Sequence, residues 1–388
     1  MLRYRAAKRL QAMRMENKRM TMSGQRVLAF DTSNYTTSAA VADLSGNILA
    51  DCRSLLKVRD GERGLRQSHA LFQHVENLPG LLRRAVSDSG SRAENICAVA
   101  VSERPRPAEG SYMPVFRAGV STAESIAAAL GIPVYRYSHQ EGHIAAVCGA
   151  LDESVRMVSF HLSGGTGEIL TTRGCRPVSL VGGVRDLSFG QLIDRAGVAL
   201  GLGFPAGAAL DRIVCSTVPF GSLTYSSRGN TKIKNPVTTS IHVDGAYVNL
   251  SGIETQILRE IERLKEKGTE KSENDGSGQV ILKKYGAAES PEEKLSGEEK
   301  RLTAELFCRI ADALVRLSVN ALQIADTDAI LFAGGVSASS FLRYELEERL
   351  AGKGYRAVFG DPKMSSDNAC GIARLGTAEY LREKQKHI

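Results

Sequence analysis

The 388-residue chain has no tryptophan, and aromatic residues make up only 6% of it. No apolar run approaches the ~20 residues of a bilayer-spanning helix, so a helical membrane anchor is excluded. The seven cysteines, Cys52, Cys97, Cys148, Cys175, Cys215, Cys308 and Cys370, are scattered, odd in number and never spaced Cys-x-x-Cys. That fits a reducing cytoplasm, with most of them buried as small hydrophobes, and not a disulfide framework. A broadly basic surface is also missing. Of the net charge of +7, residues 1–20 supply +6, from seven basic residues and Glu16, and the rest is nearly neutral. The high isoelectric point therefore belongs to a tail and not to a nucleic-acid-binding face. This tail has no 7–15-residue apolar core, so it is not a secretory signal. It reads as a disordered arm over 1–23, or as translated upstream sequence with the true start at Met20 or Met22.

What is present is an ordinary α/β composition, 43% hydrophobic, long enough for two sub-domains of roughly 150 residues each. Residues 26–53 predict three strands: an apolar run ending at Asp31, a Ser/Thr-rich turn, a strand to about Val41, a Ser45-Gly46-Asn47 turn and a return. Helices are predicted near Ala70–Ala85 and Thr122–Leu130, with strands at Ile96–Val101 and Pro133–Tyr137. Residues 157–181 repeat the three-strand pattern about 130 residues later, through Ser163-Gly164-Gly165 and an Arg173-Gly174 turn. A helix is predicted from about Phe189. A duplicated strand–turn–strand–turn–strand unit suggests two similar domains facing a cleft, as in actin, sugar kinases and the Hsp70 ATPase. Further on, the strand Ala329–Phe332 runs through Gly334-Gly335 into a helix near Ser339, a place where backbone amides can approach a phosphate. Residues 266–301, charged and rich in Gly and Ser, read as a flexible surface insertion.

The chemistry-bearing residues cluster in three places. His139 and His143 stand at i and i+4, on one helix face, where both imidazoles can reach one ion. Glu141 does not follow the first His directly, so this is not the HExxH of zinc proteases. Asp367 and Asn368 precede a small-residue helix, Ala369–Leu375, as an N-cap or a ligand carboxylate. Two His plus one carboxylate suit Zn²⁺, Fe²⁺ or Mn²⁺ with positions left open. Asp194 and Asp211 flank a Gly/Pro turn, Gly201–Gly207, where carboxylates can accept ribose hydroxyls, cap a helix or pair with an Arg.

Together these stretches resemble the TsaD/Gcp family, transferases that make threonylcarbamoyladenosine on tRNA. The resemblance spans about Arg26 to Leu381, apart from the insertion. It rests on FDTSNYTTSAAV, on QSH at Gln67–His69, on GVSTAESIAAALGIPVYRYSHQEGHI, on LSGG at Leu162–Gly165 and on GLGFPAGAALD at Gly201–Asp211. LSGIET at Leu250–Thr255, AGGVSASSFLR at Ala333–Arg343 and SSDNACGIA at Ser365–Ala373 complete it.

The resemblance implies a duplicated actin-like/sugar-kinase/Hsp70-ATPase (ASKHA) fold, with sub-domains at 24–145 and 146–388 around a nucleotide cleft. It implies a metal held by His139, His143 and Asp367, with Fe²⁺ or Zn²⁺ ahead of Mn²⁺ or Mg²⁺. It implies an adenine nucleotide, threonylcarbamoyl-AMP or ATP, beside Ser163, Gly164, Gly165, Asp194, Gly207, Asp211, Gly334, Gly335 and Ser339. The implied activity moves a threonylcarbamoyl group from its adenylate to adenosine of ANN-decoding tRNA, in the cytoplasm, with TsaB/TsaE-like partner proteins.

The sequence also departs from the family pattern. Glu-Thr-Ser-Cys-Asp-(Glu/Asp)-Thr becomes Asp31-Thr32-Ser33-Asn34-Tyr35-Thr36-Thr37, without the internal acids. Gly-Pro-Gly becomes Glu103-Arg104-Pro105-Arg106-Pro107, Ser-Gly-Gly-His-Thr loses its His at Thr166, Asp-Lys becomes Asp194-Arg195, and a nucleotide-contacting Asn becomes Ser339. These substitutions keep open a catalytically diverged paralogue acting as a nucleotide-binding partner or regulator. A metallopeptidase or an ATPase ranks lower.

Overall fold

The computed structural model describes residues 24–33, 35–58, 65–148, 154–227, 229–273, 295–364 and 366–386. The basic arm 1–23 and the middle of the charged insertion, 274–294, lie outside the described residues. In chain order the elements are β1 (Arg26–Asp31), β2 (Thr36–Asp43), β3 (Ile48–Leu55), α1 (Gln67–Asp88), β4 (Ile96–Arg104), α2 (Phe116–Leu130), β5 (Val134–Ser138) and α3 (His139–Cys148). They continue with β6 (Arg156–Leu162), β7 (Gly167–Arg173), β8 (Arg176–Val184), α4 (Phe189–Ala199), α5 (Gly207–Thr217), β9 (Val243–Asp244), β10 (Tyr247–Val248) and α6 (Ser251–Glu273). The last are α7 (Gly297–Ala325), β11 (Ala329–Ala333), α8 (Ser340–Ala351), β12 (Arg356–Phe359) and α9 (Cys370–Lys386). Both flanks of the segment 266–301 are therefore helical, as the ends of α6 and α7.

The chain forms two compact units that interleave in sequence. Among the described residues, those within 1–155, 174–177 and 366–388 form unit 1, and those within 156–173 and 178–365 form unit 2. Unit 1 contains a five-stranded sheet, β3-β2-β1-β4-β5. β1, β2 and β3 form an antiparallel meander, while β4 and β5 join parallel to β1. In unit 2 the order β8-β7-β6-β11-β12 reproduces the same arrangement, with β10 and β9 added at the β8 edge. There too β6 and β7 are antiparallel and β11 and β12 are parallel to β6. The repeated meander in the sequence is thus a structural duplication.

The central strands are buried on both faces, which is why β1, β4 and β11 read as apolar runs without alternation. Leu28, Phe30, Val99 and Val101 of unit 1 pack with Leu78 and Leu81 of α1 and Ala123 and Ala127 of α2. The residues between them, Val27, Ala29, Ala98 and Ala100, point to the opposite face and are also buried. α9 packs on β1, β2 and β4 and on α3. Unit 2 is organised on α7, which opens with a Ser296/Glu299 capping box and is buried on nearly every side from Leu302 to Leu322. Phe332 of β11 lies between Phe160, at a ring distance of 5.1 Å, and Phe359, stacked at 4.8 Å.

Candidate active site

In unit 1 the parallel strands β1, β4 and β5 finish at one end of the sheet, where β5 passes into α3 without a loop. The acid between the two histidines has a local task. The Ser138 hydroxyl accepts the Glu141 N–H at 3.2 Å, and the Glu141 carboxylate accepts the Ser138 N–H and O–H at 2.7 Å each. This capping box starts α3 abruptly and fixes both imidazoles on its first turns. Glu141 was not read as a cap from sequence, although Ser-x-x-Glu is the signature of one.

Asp367 arrives from the other end of the chain. α9 approaches α3 so closely that a Cβ on Gly371 would sit 1.8 Å from the Gly142 carbonyl oxygen and 2.7 Å from the Ala146 nitrogen. Glycine at 371 is therefore what permits the crossing. Of the two candidate cap residues before α9, Asn368 takes the local role: its Oδ1 accepts the Cys370 N–H at 2.9 Å. Asp367 is left facing the histidines.

His139 Nε2 and His143 Nε2 are 2.9 Å apart, and Asp367 Oδ1 is 3.3 Å from His143 Nε2 and 3.5 Å from His139 Nε2. Donors about 2.1 Å from a shared ion stand about 3.0 Å apart at right angles and about 3.4 Å apart in a tetrahedron. The observed triangle has that size, and two imidazole nitrogens at 2.9 Å need a proton or a cation between their lone pairs. The residues thus fit a divalent metal.

Behind the triangle sits a residue to which the sequence reading gave no role. Asp31, at the end of β1 and fully buried, places Oδ2 2.7 Å from His139 Nδ1 and accepts the Ser33 N–H on Oδ1 at 2.8 Å. A carboxylate here holds the proton on Nδ1 and turns the Nε2 lone pair toward Asp367 and His143. Burial alone would lower the His139 pKa, but Asp31 and then Asp367 outweigh it and raise it to about 10. Burial and the charge of His139 lower His143. Burial opposes ionisation of Asp367, yet hydrogen bonds to His139 and His143 hold it well below the carboxylate range.

Unit 2 carries the remaining sequence candidates. β6 ends at Leu162 and its parallel neighbour β11 at Ala333, which pairs in register with His161. The turns Ser163–Thr166 and Gly334–Ala338 therefore leave the sheet side by side at the C-terminal ends of their strands. Gly334 has φ 93° and lies so near β6 that a Cβ would meet the Leu162 oxygen at 2.4 Å, so no other residue fits. Gly164, Gly165 and Gly335 have open space where a Cβ would be. The Ser163 hydroxyl accepts the Thr166 N–H at 3.0 Å, and Ser188, the N-cap of α4, donates to the Gly164 carbonyl at 2.8 Å.

Asp194 accepts the Ala206 N–H at 2.8 Å and also bonds the Gly207 amide, fixing the start of α5; burial nevertheless leaves its pKa raised. Asp211 lies one turn inside α5 rather than at its start, and it caps α8 from outside. It accepts the Ser340 N–H at 2.8 Å, the Phe341 N–H at 3.2 Å and the Ser339 hydroxyl. Both aspartates thus organise helix starts in the region that the resemblance assigns to a nucleotide. Among the substituted positions, Arg195 is half-exposed and paired with Glu254 at 2.6 Å. Asn34 lies outside the described residues.

The duplicated 3-2-1-4-5 sheet defines the class: an α/β protein of the actin-like, sugar-kinase and Hsp70-ATPase fold. A solved full-length HypF in its phosphate- and nucleotide-bound form has the same fold, with a TM-score of 0.51 and 12% identity, covering 92% of this chain and 46% of that one. The family of tRNA N6-adenosine threonylcarbamoyltransferases, TsaD, matches residues 59–374, and the chain belongs to it. The chain is 27% identical to the protein of that name from Anaeromyxobacter dehalogenans, over 92% of this chain and 95% of the relative. It is 24% identical to that from Aromatoleum aromaticum, over 90% of each. Among the described residues, no helix is long and apolar enough to cross a membrane.

Proposed function

We propose that the chain transfers a threonylcarbamoyl group from its adenylate to adenosine in ANN-decoding tRNA. The observation that carries this reading is the donor triangle of His139, His143 and Asp367, backed by Asp31, in a chain of the TsaD family. When bound at the triangle, a divalent ion supplies a Lewis acid for a carbonyl or phosphoryl oxygen. Asp31 keeps His139 in the tautomer that presents Nε2, and the capping box of α3 holds both imidazoles at fixed angles. In unit 2 the amides of the two glycine turns serve the phosphate of the adenylate, with Asp194 and Asp211 fixing the helices beside them. In the transfer, the exocyclic amine of adenosine attacks the carbamoyl carbon. The bond from that carbon to the phosphate oxygen breaks, AMP leaves, and the amine releases one proton to solvent. TsaB/TsaE-like proteins act as partners, and the cytoplasm is the compartment of the reaction.

The test is transfer of labelled threonine from pre-made threonylcarbamoyl-adenylate to unmodified ANN-decoding tRNA, with the metal and the partner proteins present. Label on tRNA that disappears with His139→Ala supports the reading. No label beside an active family member run in parallel refutes it and leaves a nucleotide-binding paralogue.

A further inference from the structure

We propose that Cys148 and Cys175 form a reversible disulfide, a redox modification site at the end of the helix that carries His139 and His143. Cys148 is the last residue of α3, and its thiol is buried. Its Sγ donates at 3.6 Å to the carbonyl oxygen of Gly174, which places it against the backbone that carries Cys175. Both sides of the pair are anchored. The Gly174 N–H donates to the Val155 carbonyl at 2.8 Å, and the Arg374 guanidinium donates to the Ala146 carbonyl at 2.7 Å. A thiol held against the anchored backbone next to a second cysteine is placed for bridging with little backbone movement. Elsewhere thiols have other neighbours: Cys52 meets Asp88 and Cys97 the Arg26 carbonyl. All seven cysteines are free in this structure. In a reducing compartment, disulfides that do form are mostly transient and redox-sensing.

Cys148 is buried and Cys175 only half-buried, so Cys175 meets the oxidant first. With hydrogen peroxide as oxidant, Cys175 becomes a sulfenic acid and one water leaves. The Cys148 sulfur then attacks the Cys175 sulfur, the S–S bond forms, and the hydroxyl leaves as a second water with the Cys148 proton. Two thiols and one peroxide give one disulfide and two waters.

The experiment treats the reduced full-length protein with hydrogen peroxide, blocks remaining thiols with iodoacetamide and maps the peptides by mass spectrometry. The expected product is one cross-linked peptide pair joining Cys148 to Cys175, lost on adding dithiothreitol. Cys175→Ser gives no cross-link, and Cys148→Ser carries Cys175 on to sulfinic acid. The oxidised wild type unfolds at a higher temperature than the reduced protein, and Cys175→Ser shows no such difference. Full alkylation of both thiols after peroxide overturns the proposal. So does cross-linking through other cysteines, or over-oxidation of Cys175 without a cross-link in the wild type.

Discussion

Replacing Asp31 by Asn isolates what the buried carboxylate does for the metal site. The side chain keeps its shape, and its amide oxygen can still accept the proton on His139 Nδ1, now 2.7 Å from Asp31 Oδ2. The negative charge is lost, and one of two bonds must go, because the second carboxylate oxygen also accepts the Ser33 N–H. Asp31 is fully buried, so little water replaces that charge. Removing a group that orients a metal-bound histidine typically costs 10–100-fold in affinity, about 1.4–2.7 kcal/mol. Asp31→Asn is therefore expected to weaken Zn²⁺ binding by a factor of about 10–100. Asp31→Ala, which also frees the ring to turn, weakens it more. The assay is competition against a calibrated chelator at fixed pH, with circular dichroism to confirm folding. Wild-type affinity in both folded variants would refute the argument that Asp31 orients His139.

Two further outcomes follow from local packing and capping. Gly371→Ala places a Cβ against the Gly142 carbonyl, which forces α3 and α9 apart; it should cost about 1–3 kcal/mol in urea unfolding and lower the bound metal per chain. Asp186 accepts the Leu250 N–H at 2.8 Å and the Ser251 N–H at 2.9 Å at the start of α6, so Asp186→Ala should cost about 1 kcal/mol at pH 7. Burial opposes its ionisation, but those amides keep its pKa lowered, so its contribution is present above the ordinary carboxylate value. It is lost as pH falls through the lowered value, so the urea midpoints of wild type and variant should differ at pH 7 and converge in acid.

Much of this architecture was legible because its signals are local. The apolar runs of β1 and β11 and the turns at Gly46 and Gly174 each sit within a few residues, so the duplicated meander could be read directly. That His139, His143 and Asp367 come together was readable because two histidines at helical spacing were joined to a distant acid through family resemblance. The role of Asp31 was not, since its motif says nothing of its partner, His139, which lies 108 residues away. A useful signal was that β1 and β5 flank β4 in one parallel set, which brings their C-terminal ends together. The packing of α9 on unit 1 is likewise invisible in a linear pattern, because it depends on Gly371 meeting Gly142 across the chain. Asp194 and Asp211 show the opposite limit: the sequence left open ribose binding, helix capping and ion pairing, and the structure displays the helix contacts.

The most direct measurement of the central claim is transfer of labelled threonine to tRNA by chelator-stripped protein, titrated with Zn²⁺ or Fe²⁺. The account predicts that label rises with metal and levels off at one ion per chain in the wild type, while His143→Ala stays unlabelled at every metal concentration. Transfer by the stripped wild type at the full rate, or by the folded variant, would contradict it.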